Sequence, residues 1–359
     1  MSKKVFVGMS GGVDSSLTAA LLQEQGYNVT GVYMKNWTSD VTGYYCPWQD
    51  DFNDAKRVAV DLGIPFKVYD FQTQYKDLVV DYLLESYQQG ITPNPDIMCN
   101  QEIKFKVFLD LALKDGADYI ATGHYAQIKN NNHRFYLTTA VDQNKDQTYF
   151  LYRMSYEALE HSLMPIGSML KSKVRLEAKK RHIFTANKKD SQGICFIGKV
   201  PIKDFLLNQL GPQKPGLVID NNQQIVGQHD GVIFYTIGQR HGLNLGGGLP
   251  YYVFDKDIKK NIVYVTRDLN FNNLWSDNLS LSQVYFLTDQ IKRISVQDNV
   301  MAKPRYRASN VAVKNLSQIN QDQWSLELVE AVKAPTPGQS VVFYQDQIVL
   351  GGGIISRLL

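Results

Sequence analysis

The sequence predicts an α/β protein in which a parallel sheet with helices on both faces is followed by a β-structured carboxyl-terminal part. Three observations carry that expectation. Apolar runs of strand length alternate with helical patterns from Val5 to about Lys203. A pair of glycines, Gly11-Gly12, stands where the first run meets the first helical pattern. Beyond Lys203 the chain breaks into short β-rich segments separated by Gly, Asn, Asp and Pro turns.

Val5 to Met9 reads as a buried strand, and Leu17, Ala20, Leu21 and Glu24 recur at helical spacing until Gly26. A second apolar run, Val29 to Met34, leads into a loop rich in Trp, Tyr and Pro through Trp48. The spacing predicts a helix over Asp51 to Leu62, closed by Gly63 and Pro65, then a strand at Phe66 to Tyr69. Phe105 to Lys114 reads as helical, and Gly116-Ala117-Asp118 leads into a short strand, Tyr119 to Thr122. In the later part, strands are expected at Gly216 to Ile219, Gln224 to Val226, Gly231 to Tyr235, Ile262 to Val265, Val300 to Arg307 and Ser340 to Tyr344.

A chain of 359 residues, 44% hydrophobic and 20% charged, has room for two or three domains. Turn-rich stretches place boundaries near 205 and 275, giving segments 1–205, 206–275 and 276–359. No run of about 18 apolar residues is present to span a bilayer. The apolar stretch after Lys3-Lys4 stops too early for a signal peptide, so a cytoplasmic protein with no membrane partner is expected. The net charge of +3 is mild, and a polyanionic partner would be held by local patches. Cys46, Cys99 and Cys195 form no CxxC pair and have no zinc-finger His spacing, so no structural zinc is read from them.

In Gly8-Met9-Ser10-Gly11-Gly12-Val13-Asp14-Ser15, adjacent glycines let the backbone approach an anion, and the following helix turns its free N–H groups toward it. The lysine of the GxxxxGK phosphate loop is missing, which argues against cleavage between the last two phosphates of ATP. The SGGxDS pattern resembles the pyrophosphatase loop of N-type ATP pyrophosphatases, which release pyrophosphate and transfer AMP to a carbonyl oxygen. That resemblance implies that Ser10, Gly11, Gly12 and Ser15 hold the pyrophosphate while Asp14 places Mg²⁺ or caps the helix. The plainer alternative is a glycine turn with Asp14 or Ser15 as a cap. At the carboxyl ends of later strands stand Met34, whose backbone could rest on adenine, and Gly123, which could let the nucleotide pass, with His124 beside it.

Cys99 lies in Thr92-Pro93-Asn94-Pro95-Asp96-Ile97-Met98-Cys99-Asn100, where the prolines enforce an extended loop, and Cys195 in Ser191-Gln192-Gly193-Ile194-Cys195-Phe196-Ile197-Gly198. Taken singly, each thiol reads as a small buried hydrophobe. Together, PNPDxxCN, GHYA, KDQTYFL, SQGICFIG and YTIGQRHGL resemble the bacterial tRNA-specific 2-thiouridylases in order and spacing, from Val5 through the last strand. The resemblance implies a Rossmann-like sheet of the adenine nucleotide alpha hydrolase type, a small β-rich central domain and a carboxyl-terminal β-barrel. It implies ATP as cosubstrate with Mg²⁺, and tRNAs for Lys, Glu and Gln as substrates, thiolated at the wobble uridine. Sulfur would come as a persulfide on Cys195, from a relay protein or a cysteine desulfurase, and its terminal sulfur, or hydrosulfide freed from it, would attack C2. Cys99 would act as general acid or base and close a Cys99–Cys195 disulfide. Asn94, Pro95 and Asp96 would line the pocket of a flipped-out uridine, and Lys145, Asp146, Gln147, Tyr306 and Arg307 would contact tRNA.

Lys171, Lys173, Arg175, Lys179, Lys180, Arg181, Lys188 and Lys189 crowd one stretch with few local acids, and Arg175, Lys179 and His182 would share one helical side, which suits phosphate contacts. Strand alternation would turn Lys303, Arg305 and Arg307 to one face, and Tyr306 to the other unless a bulge or strand end intervenes. The triple glycines Gly246 to Gly248 and Gly351 to Gly353 precede no helix and read as turns or bulges. Two other readings remain: another adenylating enzyme of this loop class, such as an amidotransferase-type synthetase or an argininosuccinate-type ligase, and a non-catalytic tRNA-binding or sulfur-carrying protein.

Overall fold

The computed structural model describes residues 2–38, 48–190, 200–243, 245–246, 248–287 and 293–356. Cys46, the loop before Trp48 and the whole SQGICFIG stretch, Cys195 included, lie outside the described residues. Two compact units form: Met1–Val80 with Pro95–Val200 and Gln347–Val349, and Asp81–Asn94 with Pro201–Asp346 and Leu350–Leu359.

The first unit is built on strands β1 (Lys4–Gly8), β2 (Asn28–Lys35), β3 (Phe66–Asp70) and β4 (Tyr119–Ala121), a hairpin of β5 (Gln127–Asn131) and β6 (Arg134–Thr138), and β7 (Ser162–Leu163). Five of them form a parallel sheet in the order β3-β2-β1-β4-β7. The chain runs outward from β1 through β2 to β3 and then returns to place β4 on the other side of β1. Such a reversal leaves a crevice at the carboxyl ends of β1 and β4, where open α/β sheets take ligands. Helices α1 (Val13–Glu24) and α2 (Trp48–Asp61), with the helix Lys171–Lys180, cover one face. Val5, Val7 and Met9 join Leu17, Ala20, Ala55, Val58, Val174 and Ala178 in that core. Full burial of these side chains is what makes the strands read as continuous apolar runs rather than alternating ones. The opposite face carries Phe108, whose ring lies 6.1 Å from that of Tyr69.

The second unit holds a four-stranded sheet of β8 (Gly216–Asp220), β9 (Ile225–His229), β10 (Tyr252–Asp257) and β11 (Ile262–Thr266), in the order β10-β11-β8-β9. After it come β12 (Trp275–Phe286), β13 (Ile294–Ser295), β14 (Met301–Lys303), β15 (Val311–Gln318), β16 (Gln323–Lys333), β17 (Ser340–Gln345) and β18 (Ile348–Ile355). The antiparallel ladder runs β12-β16-β15-β14-β17-β18, and β18 pairs back onto β12, so six strands close a barrel around Leu281, Leu316, Leu326, Val341 and Phe343, each fully buried. Gly351, at φ +147°, sits in this closure, and a Cβ there would come within 2.1 Å of the Tyr285 carbonyl oxygen. The register shifts on β12 between Ser282 and Tyr285, so the second glycine triplet belongs to a strand crossing.

Some local expectations fail for identifiable reasons. Gly231 to Tyr235 is not a strand: Val232–Phe234 forms one turn of 3₁₀-helix with all three side chains buried, a case where an apolar run alone cannot tell strand from buried turn. Val300 to Arg307 yields only the three-residue strand β14, because the chain turns after Lys303 and Arg307 adopts φ +63°. Arg305 and Arg307 therefore share no strand face with Lys303. The loop that the two prolines were expected to hold extended becomes helical at Pro95, since proline fits the first turn of a helix. The helix Pro95–Met98 leads through π-type turns, Cys99–Val107, which are kinked at Phe105 (φ −108°, ψ 15°), into Phe108–Lys114, so helical structure starts ten residues before Phe105.

Candidate active site

The glycine loop leaves β1 at Gly8 and enters α1 at Val13. Gly11 adopts φ +71°, and a Cβ on it would lie 2.3 Å from the Asp51 carbonyl oxygen in α2, so both its backbone angle and its neighbour demand glycine. Gly12 takes the N-cap position without a capping side chain. Ser15 ties the turn internally: its Oγ accepts from Ser10 N–H at 3.2 Å and donates to the Gly12 carbonyl at 3.2 Å. Gly8 is held open by a neighbour, since its Cβ would fall 2.9 Å from Met34 Cε at the end of β2. Gly123, just past β4, packs directly on α1, and a Cβ there would meet the Ser15 nitrogen at 2.7 Å and the Asp14 carbonyl carbon at 2.8 Å. Gly8 to Ser15, Met34 and Gly123, far apart in sequence, thus gather at the carboxyl ends of β1, β2 and β4.

Asp14 does not cap the helix. Its carboxylate accepts from Lys171 Nζ at 2.7 and 2.8 Å and from Tyr125 Oη at 2.9 Å. Burial first, and then the Asp14 charge, push the Tyr125 phenol far above its ordinary value, so it stays a donor. The same Lys171 ammonium lies 2.9 Å from Asp190, which also takes Lys145 at 2.6 Å and Arg175 at 2.7 Å. Burial opposes ionisation of Asp190, but hydrogen bonds from Lys145 and Lys171 and their charges outweigh it, and its carboxyl titrates at about 2. Sequence reading found no lysine for the glycine loop; the fold delivers one from a helix 157 positions further along the chain.

The basic stretch is therefore largely committed to internal partners, contrary to its expected role as a bank of phosphate contacts. Arg181 pairs with Glu24 and Glu177, Lys180 with Glu177, and Lys188 with Asp51 and Asp54. Acids recruited from distant segments were invisible in local composition. The helix ends at Lys180, and His182 stands outside it at φ +55°, so the expected Arg175, Lys179 and His182 face is cut short. Lys173, Lys179 and Lys189 are exposed.

Cys99 is buried, 1% exposed, at the start of the π-helical turns, a distortion frequent at functional sites. Next to it Asn100 donates from Nδ2 to the Phe150 carbonyl at 3.2 Å, while its buried Oδ1 has no hydrogen-bond partner among the described residues. Pro95 is buried and Asn94 and Asp96 are half-buried. Lys145 reaches Asp190; Asp146 is buried, accepting from Ala140 N–H at 2.9 Å and Thr148 Oγ1 at 2.7 Å; Gln147 Oε1 accepts from Tyr125 N–H at 2.9 Å. In the second unit Tyr306 and Arg307 occupy a turn, the guanidinium 5.3 Å from the ring.

His124 is a buried histidine at the end of β4, with Nδ1 2.8 Å from Thr122 Oγ1 and its ring 5.6 Å from that of Phe105. Burial, reinforced by the Lys104 charge, lowers its pKa well below the ordinary 6.5. The folded protein therefore holds a neutral ring where the unfolded chain takes up a proton near pH 6.5, and stability drops as pH falls through that value. The slope contributed is at most about 1.4 kcal/mol per pH unit. Urea midpoints at pH 7 and pH 5 should fall further apart in the wild type than in His124→Asn; equal differences would show that the histidine is not the source.

A lysine-free glycine loop at the switch point of a five-stranded parallel sheet, joined in one chain to a β sheet and a closed barrel, defines an ATP-using enzyme of the HUP class. Residues 3–199 match the tRNA methyl transferase HUP domain, 203–267 the tRNA methyl transferase PRC-barrel domain and 276–355 the aminomethyltransferase beta-barrel domain. The tRNA-specific 2-thiouridylase MnmA of Listeria monocytogenes serotype 4b (strain CLIP80459) is 47% identical over 99% of this chain and 95% of its own. Those of Enterococcus faecalis and Idiomarina loihiensis are 45% and 44% identical over 99% of this chain and 95% and 96% of theirs. The chain belongs to the tRNA-specific 2-thiouridylase family.

Proposed function

We propose that the protein converts uridine 34 of tRNAs for Lys, Glu and Gln to 2-thiouridine, using ATP and a persulfide carried on Cys195. The observation that carries the reading is the near-half identity to 2-thiouridylases over almost the whole chain, with the glycine loop intact in geometry as well as sequence.

ATP would lie over Gly8 to Ser15, with Met34 and Gly123 flanking the nucleoside. The free amides at the start of α1 favour the departing pyrophosphate. Asp14 is a partly exposed carboxylate that would hold Mg²⁺ by giving up one of its Lys171 contacts, the ion being completed by phosphate and water oxygens. Uracil O2 attacks the α-phosphorus, the bond to pyrophosphate breaks, and the N3 proton is lost. The terminal persulfide sulfur then adds to C2, and AMP departs with the former O2. Cys99 thiolate attacks the Cys195 sulfur; the electron pair of the broken bond stays on the base sulfur, N3 regains its proton, and a Cys99–Cys195 disulfide forms. A thiol reductant restores both cysteines. Asn94, Pro95 and Asp96 would receive the flipped base, and Lys145, Asp146, Gln147, Tyr306 and Arg307 would hold the tRNA, Asp146 and Gln147 by shaping the backbone near Tyr125. A sulfur relay protein or cysteine desulfurase would supply the persulfide. No helix among the described residues is long and apolar enough to cross a membrane, and a cytoplasmic location fits a substrate that is tRNA.

With ATP and unmodified tRNA the protein should release pyrophosphate, and omission of tRNA should stop the release. Release driven equally well by a small amino acid, or absent with every tRNA, would instead favour a synthetase of the same loop class or a non-catalytic binder.

A further inference from the structure

Resting on the functional reading above, we propose that Lys171 and Asp190 are positioning residues that hold the segment leading to Cys195 in register with the nucleotide loop. They would couple sulfur transfer to adenylation rather than serve adenylation alone.

Two independent ties join the loop to residues 186–190. Lys171, with a side chain only 12% exposed, donates to both Asp14 oxygens at 2.7 and 2.8 Å and lies 2.9 Å from Asp190. Lys188 binds Asp51 at 2.8 Å and Asp54 at 2.6 Å, and Asp51 is the residue whose carbonyl crowds Gly11. One helical turn beyond Lys171, Arg175 grips the carbonyls of Ala186 at 3.0 Å and Lys188 at 2.9 Å, and Asp190 at 2.7 Å. Lys171 is itself anchored, its backbone N–H donating to Asp142 at 2.9 Å. The pair Lys171 and Arg175, four apart on one helix edge, thus clamps a chain that reaches Cys195 five residues after Asp190.

General packing does not require this arrangement. A carboxylate needs one cation to be stable, whereas Asp190 takes three while remaining partly exposed, and one of the three is shared with the loop. A two-step reaction does require it. The sulfur must meet C2 only where AMP has been attached, and misplacement by about 1 Å costs about a hundredfold in rate.

The test uses the full chain as wild type, Lys171→Met, Lys171→Arg and Asp190→Asn, with ATP, unmodified tRNA and a cysteine desulfurase charged with cysteine. Adenylated tRNA and 2-thiouridine are measured separately, and urea midpoints are taken alongside. Lys171→Met is expected to lower the ratio of thiolation to adenylation by about thirtyfold, Asp190→Asn similarly, and Lys171→Arg by less than about fivefold. Equal losses in both steps, or only a raised KM for ATP, would overturn the proposal and make Lys171 a phosphate contact or a structural ion pair. If Lys171→Met fails to fold, Asp190→Asn decides, because it leaves the Lys171 pair with Asp14 in place. A wild type that forms no 2-thiouridine would instead sink the functional reading.

Discussion

A Cys195→Ser variant is expected to adenylate its tRNA and stop there, with thiolation reduced by at least about a thousandfold. A serine hydroxyl cannot carry a persulfide, so the nucleophile proposed for the second step disappears while the glycine loop, which needs no thiol for the proposed adenylation, continues the first. Mass analysis of tRNA after incubation with ATP and a charged cysteine desulfurase should find AMP-bearing uridine in place of 2-thiouridine. Thiolation near the wild-type rate with that donor would assign sulfur transfer elsewhere in the molecule. The variant also separates the two other readings, since a small-molecule synthetase would be indifferent to Cys195 and a non-catalytic binder would form no adenylate.

The parallel sheet was legible because strands buried on both faces print themselves as uninterrupted apolar runs: Val5 to Met9, Val29 to Met34 and Tyr119 to Thr122 all lie on β1, β2 and β4 to within a residue or two. Val300 to Arg307 was not, because its apolar and basic pattern continues past Pro304, where the strand ends and the chain turns through Arg305 to Arg307. The start of the Cys99 helix was missed for a related reason: Pro95 looks like a loop residue in sequence and acts as a helix starter in space. Charge was the least legible property. Eight basic residues near Lys171 looked unmatched along the chain, yet five are paired with acids, most of them from elsewhere in the chain: Glu24, Asp51 and Asp54 from two other helices, and Asp14 from the loop itself. Sequence spacing reports which residues share a helix face; it carries no record of which distant element packs on that face. The lysine at the glycine loop is the sharpest instance, absent from the motif and present in the site.

Gly123→Ala is expected to lower kcat/KM for adenylation by about a hundredfold without unfolding the protein. The reason lies in its neighbour rather than in its own backbone, which is not in the left-handed region. A methyl group would sit 2.7 Å from the Ser15 nitrogen and 2.8 Å from the Asp14 carbonyl carbon, both main-chain atoms that cannot swing aside as a flexible side chain would. Relief must come from shifting the first turn of α1, and that turn carries Asp14 with its links to Lys171 and Tyr125, and Ser15 with its closure of the loop. A displacement of several tenths of an ångström there moves every group of the loop proposed to face the pyrophosphate at once. Gly246→Ala, where a Cβ meets nothing within 4 Å among the described residues, is the matched control and should leave pyrophosphate release unchanged. Wild-type release by Gly123→Ala would mean that the approach of β4 to α1 tolerates a side chain and that the nucleotide is positioned without it. A loss confined to adenylation, with the urea midpoint lowered by little, would instead tie the glycine to the place where two strands of the sheet part around ATP.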